Sequence, residues 1–237
     1  MRLDQFLKDN GYFESRAKAQ YEIKEGHIKV NGKATFKPSF EVSIIDRIEI
    51  DNNTLFYVSR GGLKLEKALD EYKIDVRNKV CLDIGASTGG FTDCLIKRGA
   101  ERVFALDVGT LQLHDSLRNN PKIISLENTN FLTFDLSKLP KIDIIVIDVS
   151  FIKVETILER IIDNFKDVTV VFLIKPQFEL GHIYLKNGIV KDEKMRQYAI
   201  KQITSFIERY NIKIKPVIES PIKGGSGNIE YLSSFNL

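Results

Sequence analysis

Cysteine is scarce in this 237-residue chain, which has only Cys81 and Cys94. Both fall in one apolar stretch with no histidine beside them, which excludes a secreted disulfide framework and argues against a metal centre. Charge of either sign is not in large excess: 35 Lys and Arg against 32 Asp and Glu leave a net +3. That balance permits a basic face for nucleic acid without requiring one. No apolar run approaches the ~18 residues of a membrane span, and Met1-Arg2-Leu3-Asp4 lacks the basic, apolar and small-residue succession of a secretory signal. No internal repeat or low-complexity segment occurs. These absences point to a cytoplasmic, folded protein. Its 43% hydrophobic and 28% charged residues suit one or two domains with cores large enough to need no covalent or metal staple.

Two regions differ in character. In residues 1–58, Leu3, Phe6 and Leu7 mark a short amphipathic helix. A second helix follows in "SRAKAQYEIKEG", with Ser15 as its cap and Gly26 as its stop. This helix carries Arg16 and Lys18 in its first turn, where cations oppose the macrodipole by ~0.3–1 kcal/mol. Folding alone gives no reason for them; an anionic partner would. "HIKVNGK" alternates Ile28 and Val30 up to an Asn31-Gly32 hairpin signal, with Lys29, Lys33 and Lys37 at or near the turn. "EVSIIDRIEI", residues 41–50, predicts a closing strand. The stretch resembles the small α+β RNA-binding fold named after ribosomal protein S-four. The resemblance implies a grip on structured RNA, with Arg2, Arg16, Lys18, Lys29, Asn31 and Lys33 near the phosphates, contacts that position more than they specify.

"DNNTLFYVSRGG", residues 51–62, reads as the boundary and linker, so the second region runs over 59–237. It opens on a helix with Leu65, Ala68, Leu69 and Tyr72 on one face. Strands are predicted at 80–86, 102–108, 123–127, 142–149, 168–175, 212–219 and 228–235, and helices near 90–98, 152–163 and 192–209. This alternation predicts a seven-stranded, doubly wound, mostly parallel α/β sheet, Rossmann-like, whose ligand sits beyond the C-terminal strand ends.

The stretch "VCLDIGASTGGFTDCLIKRGAERVFALDVG", residues 80–109, carries most of the chemistry. A strand that enters a glycine-rich turn at a helix start reads as a nucleotide site, because glycines let backbone amides approach a ligand. The turn has neither the glycine spacing of a dinucleotide fold nor the lysine of a P-loop. Asp83 just before it is awkward beside a pyrophosphate and suits a cationic ligand. S-adenosylmethionine fits, with a sulfonium, an amino group and no phosphate. Asp83, Gly85, Ser87, Gly89, Gly90 and Phe91 would hold its methionine part, and Asp107 at the next strand's end would accept the ribose hydroxyls. The alternative is that Gly89 and Gly90 serve only close helix packing and that Asp107 caps a loop. The stretch resembles the first two motifs of class I methyltransferases, and that resemblance places Asn130 by the adenine.

The acceptor is narrowed by what is missing. Methyltransferases acting on base amino groups usually carry an Asn/Asp-Pro-Pro-aromatic run after the fourth strand, where this chain has Asp148-Val149-Ser150-Phe151. Neither cysteine lies at a strand end, as a base-carbon nucleophile would. A hydroxyl remains, and its methylation needs positioning and a base. Lys175 closes the fifth strand before Pro176, Asp148 closes the fourth, Lys64 lies on the helix before the first, and Glu230 lies in the last strand.

Lys-Asp-Lys-Glu in this order is similar to the tetrad of FtsJ-like RNA ribose methyltransferases. Together with "YVSRGGLKLEKAL", "CLDIGASTGGFTD", "VIDVSFI", "LIKPQFE" and "GGSGNIEYL", it identifies the chain as a member of the TlyA, or haemolysin A, family. Membership implies S-adenosylmethionine-dependent 2′-O-methylation of cytidine in ribosomal RNA of assembled subunits. The extent of the chain resembles the family type that acts on the large subunit only. The linker tetrapeptide of the longer type has no clear counterpart in Leu55-Phe56-Tyr57-Val58. Two other classes compete. An RNA-binding scaffold with an idle methyltransferase fold would have no chemical need for the tetrad. A pore-forming haemolysin would need a membrane-active segment that the sequence lacks.

Overall fold

A computed structural model describes residues 1–13, 15–24, 26–50 and 57–237. The chain divides into two compact units, Met1–Phe56 and Tyr57–Leu237. The stretch read as the linker therefore lies partly outside the described residues, as do Leu55 and Phe56 of the tetrapeptide. Tyr57 and Val58 fall in the second unit, where Tyr57 is buried.

In the first unit, α1 (Leu3–Asp9) and α2 (Arg16–Lys24) share a small core with an antiparallel sheet of β1 (Ile28–Val30), β2 (Lys33–Ala34) and β3 (Ile48–Ile50), ordered β2-β1-β3. Leu3, Leu7, Ala19, Ile23, Ile28, Val30 and Val42 form that core. Asn31 and Gly32 take φ of +51° and +77°, the left-handed pair that a two-residue hairpin requires to match strand twist.

Two expectations are corrected. Only Ile48–Ile50 of the predicted 41–50 strand pairs with β1, because Ser43–Asp46 turns back on itself. There the Asp46 carboxylate accepts from the Ser43 N–H at 2.7 Å and from Asn31 Nδ2 at 2.8 Å. The cation at the start of α2 also has a folding reason. Buried Asp4 accepts from Arg2 at 3.0 and 2.9 Å, from Arg16 Nε at 3.0 Å and from Gln20 Nε2 at 2.6 Å. These donors, Arg2 foremost, hold the Asp4 carboxyl well below the usual carboxylate range.

The second unit is a seven-stranded sheet of β4 (Val80–Ile84), β5 (Arg102–Leu106), β6 (Ile123–Leu126), β7 (Ile144–Ile147), β8 (Thr169–Ile174), β9 (Ile218–Glu219) and β10 (Tyr231–Asn236), ordered β6-β5-β4-β7-β8-β10-β9. Its pairings are parallel except where β10 runs antiparallel to β8 and β9. The helices are α3 (Gly61–Tyr72), α4 (Gly90–Lys97), α5 (Asp115–Arg118), α6 (Val154–Asn164), α7 (Pro176–Glu179) and α8 (Glu193–Glu208). Successive strand residues point to opposite faces, so a wholly apolar strand feeds two cores. Ile145 and Ile147 of β7 pack with Leu158 of α6 and Phe206 of α8, whereas Ile144 and Val146 pack with Leu65 of α3 and Leu95 of α4.

The strand predicted at 212–219 shrinks to Ile218–Glu219, with one isolated bridge from Ile214 to Phe235. Pro216, which has no N–H to give to a ladder, separates the two. Strand order reverses between β4 and β7, since the chain winds outward through β5 and β6 before returning to β4's other side. Such a switch point opens a crevice at the C-terminal strand ends.

Candidate active site

A cavity of about 470 Å³ occupies that crevice, walled by Gly85 and Ser87 after β4, Asp107 after β5, Asn130 and Phe131 after β6, and Asp148–Ile152 after β7. Gly85 (φ +85°) has no room for a side chain: a Cβ there would lie 2.6 Å from the Asp148 carbonyl oxygen. Asp107 shapes the wall by accepting the Ser87 N–H at 2.8 Å and the Gly109 N–H at 2.7 Å. Each of its oxygens keeps a lone pair for a ligand hydroxyl. Asn130 accepts the Leu132 N–H through Oδ1 at 2.9 Å.

Not every residue read as part of the donor site reaches the cavity. Gly89 and Gly90 serve packing: a Cβ on Gly89 would meet Leu117 at 2.4 Å, and one on Gly90 would meet Ser59 Oγ at 2.2 Å. Phe91 is buried in the core shared by α3 and α4. Asp83 is fully buried beneath the turn, with Oδ2 accepting from Thr92 Oγ1 at 2.6 Å and Oδ1 lacking any hydrogen-bond partner. Burial, with Asp148 and Asp107 adding to it against the Thr92 hydrogen bonds, raises Asp83 to about 7. Asp83 does not touch the cavity, but when ionised it sets a negative charge beneath the turn, so the cradle above it suits a positively charged ligand.

At the cavity edge the four charged residues read from the sequence converge. Lys175 Nζ lies 2.5 Å from Asp148 Oδ1, an ion pair off the line of a well-formed hydrogen bond, and donates to Ser150 Oγ at 2.9 Å. Lys64 Nζ reaches Glu230 at 2.7 Å and Asp148 at 3.8 Å. All four are largely buried. Burial opposes the charge of Lys64, but Asp148 and Glu230 outweigh it and leave its pKa raised. Burial likewise opposes ionisation of Asp148, and the two lysines outweigh it, leaving its pKa lowered. The local sequence explains the placement. Pro176 keeps Lys175 extended (φ −112°, ψ 93°) and starts α7 immediately after it. Gly224 gives Glu230 room, since a Cβ there would touch its Oε1 at 2.3 Å.

Sequence reasoning missed four neighbours. Gln177 Nε2 donates to Glu230 Oε1 at 3.1 Å, and Ser150 bonds Lys175. Phe151 is 91% exposed at φ +64° and meets Phe178 at a tilt of 50° with ring centroids 5.0 Å apart, and the Phe178 ring lies 5.8 Å from Lys175 Nζ. A signal existed, because Phe151 occupies the aromatic position of the Asn/Asp-Pro-Pro-aromatic run. Cys81 and Cys94 are buried, and burial pushes both thiols up to about 12, which leaves them inert.

In the first unit the residues read as RNA contacts divide. Lys29 and Lys33 flank the hairpin turn, Lys33 exposed and Lys29 half-buried. Arg2 and Arg16 are partly committed to Asp4 but remain about half exposed. Asn31 is spent on the turn, binding Asp46 and the Arg47 N–H. The side chain of Lys18 lies outside the described residues.

A reversed parallel sheet ending in an antiparallel β10, with its crevice walled by Gly85, Asp107 and Asp148, defines a class I methyltransferase domain. Residues 57–237 match the model of the FtsJ-like methyltransferases, and residues 1–48 match that of the S4 domain. The chain is 45% identical over 244 residues to Hemolysin A of Brachyspira hyodysenteriae, covering 99% of each. It is 38% identical over 251 residues to the 23S rRNA (cytidine-2′-O)-methyltransferase TlyA of Campylobacter jejuni, covering 98% of this chain and 97% of that protein. A solved structure described as a hemolysin, from Streptococcus thermophilus, superposes with a TM-score of 0.77 at 37% identity, covering 99% of this chain and 87% of that one. The chain belongs to the TlyA/hemolysin A family of FtsJ-like methyltransferases. Among the described residues no helix is long and apolar enough to cross a membrane.

Proposed function

We infer that this enzyme methylates the ribose 2′-hydroxyl of a cytidine in ribosomal RNA, in the cytoplasm, with 23S RNA of assembled large subunits as the substrate and S-adenosylmethionine as the donor. One observation carries the reading. Asp148 lines the cavity that fits a cationic donor and also anchors two lysines, so donor and proton-handling groups meet at one carboxylate.

Asp107 and Asn130 hold the nucleoside part of the donor, and Gly85 with Asp83 below it faces the cationic part. Bound there, the sulfonium supplies an electrophilic methyl carbon. Lys175, once it has released a proton to solvent and stands as the neutral amine, would orient the ribose hydroxyl and take its proton on Nζ as the methyl carbon passes to the oxygen and the donor leaves as a neutral thioether. Asp148 stabilises the resulting ammonium and holds Lys175 in line. Lys64 keeps Asp148 ionised, and Glu230 balances Lys64. Phe151 offers a face on which an extruded base can stack, as single-stranded RNA recognition commonly requires. The first unit, through Lys29, Lys33, Arg2, Arg16 and Lys18, grips the RNA backbone, and the second unit is the catalytic one.

The test is transfer of a labelled methyl group from donor to 23S RNA in large subunits, with the modified position mapped as a 2′-O-methyl cytidine. A chain that bound subunits without transferring methyl would support the idle-scaffold reading. Leakage of lipid vesicles by the purified chain would support the pore-forming one.

A further inference from the structure

One buried acid beside the site takes no part in the Lys64–Asp148–Lys175–Glu230 cluster. Glu179 ends α7 and is 5% exposed. Its Oε1 accepts the Val154 N–H at 3.0 Å, 25 residues away in sequence, while Oε2 has no hydrogen-bond partner. Lys153, which precedes α6, makes no side-chain cap. Glu179 thus fills from outside the place that a Ser, Thr or Asp usually takes at a helix start. It also sets an anion at the positive end of an eleven-residue helix.

The position matters because of what lies between its ties. Residues 149–153 join Asp148 to Val154, and α7 joins Lys175 to Glu179 in a single turn. The N–H groups of Phe178 and Glu179 both donate to the Lys175 carbonyl, at 2.8 and 3.2 Å. The two segments are fastened at one end by Lys175 on Asp148 and Ser150, midway by the Phe151–Phe178 rings, and at the other end by Glu179 on Val154. A turn that keeps Phe151 at positive φ persists only when it is held from several sides.

We propose that Glu179 is a positioning residue for methyl transfer: as the cap of α6 it fixes the 149–153 turn, and with it Asp148, Ser150 and Phe151, against Lys175. This rests on the function inferred above. The clasp is sensitive to ionisation. Burial raises Glu179 to about 7, opposed by the Val154 N–H and Lys153 and reinforced by Glu155. Above that pH the carboxylate is a strong acceptor attracted by the helix dipole; below it, the neutral acid is a weaker one. Glu179 therefore makes transfer slower as pH falls through about 7.

The test uses the full chain and two readouts. By NMR, the Val154 amide shift should titrate with a midpoint near 7 in the wild type and not in Glu179→Gln. Single-turnover rates at saturating donor should show Glu179→Gln about tenfold slower than wild type at high pH, a modest loss for sub-ångström misplacement. The gap should close as pH falls to 6, where both side chains are neutral. Glu179→Ala, which has no acceptor, should be slow throughout. A Val154 amide that ignores pH would overturn the proposal, and so would a gap between wild type and Glu179→Gln that stays constant with pH, as a purely structural residue would give. If the wild type transferred no methyl to ribosomal RNA, the inferred function would fall, while the Val154 titration would still judge the clasp.

Discussion

Replacing Glu230 with Gln keeps the shape of the side chain and removes one charge, which isolates what the Lys64 pair contributes. At 2.7 Å and an effective dielectric of about 20, the attraction between the two is about 6 kcal/mol before desolvation. Removing one partner of such a buried pair costs about 3–5 kcal/mol net, because the other charge stays buried. Lys64 would keep only Asp148, at 3.8 Å and shared with Lys175. Urea unfolding of the full chain should therefore show a loss of about 3–5 kcal/mol at pH 7.

The pH dependence separates this cause from mere misfit. In the wild type the raised pKa of Lys64 means that its contribution is fully present below the unfolded value of about 10.4 and is lost only as pH rises through the folded value. Stability should then be insensitive to Lys64 between pH 7 and 10. In Glu230→Gln burial dominates and the folded pKa falls below the unfolded one, so the unfolded state binds more protons in between. Stability should rise with pH in that window, by up to about 1.4 kcal/mol per unit. Adding Lys64→Met should recover most of the loss, since an apolar replacement of the whole pair is close to neutral. Parallel stability curves from pH 7 to 10, or a double variant as unstable as the single, would refute the reasoning.

Asp107→Ala should weaken S-adenosylmethionine binding by ~1.5–3 kcal/mol without unfolding the chain, as read by calorimetry. Donor affinity should rise as pH climbs through about 7, because a cation favours the ionised form of Asp83, and Asp83→Asn should flatten that rise. Lys175→Ala should slow single-turnover methylation by ~10²-fold or more with donor and RNA affinity nearly intact, and Lys175→Arg should fail almost as badly, since guanidinium stays protonated. Lys29→Ala and Lys33→Ala should each flatten the slope of log K for ribosomal RNA against log salt by roughly one or less, leaving donor affinity unchanged. A slope unchanged in both would remove the hairpin from the RNA interface.

How far the sequence went can be judged residue by residue. Lys64, Asp148, Lys175 and Glu230 are separated by up to 166 positions, yet their order was visible, as were the places of Asp148 and Lys175 at strand ends, and the fold brings all four together; Glu230, read as lying in the last strand, sits just before it. Strand ends are legible because apolar runs stop there, and the reversal of strand order gathers those ends at one crevice. The glycine turn was only half legible. Gly85 yields to the close approach of a neighbouring carbonyl, whereas Gly89 and Gly90 yield to Leu117 and Ser59. A glycine in a sequence does not say which neighbour demands it.

Buried acids were the main blind spot. Asp4 carried no sign of its role in the local sequence, and Glu179 appeared only as the last residue of "LIKPQFE". What each binds lies on another element: Arg16 and Gln20 on α2 for Asp4, and the first N–H of α6 for Glu179. The sequence by itself determined the alternation of elements, the two-unit plan, the apolar strands that feed both faces of the sheet, and the residue types at each strand's end, because these follow from local periodicity and backbone preference. The tertiary structure decided which charges are buried together, which glycines face the cavity, and which backbone donors are met from outside their own helix. Those outcomes depend on distances between segments far apart in the chain, and burial makes each unmatched group there cost free energy that exposed side chains would lose to water.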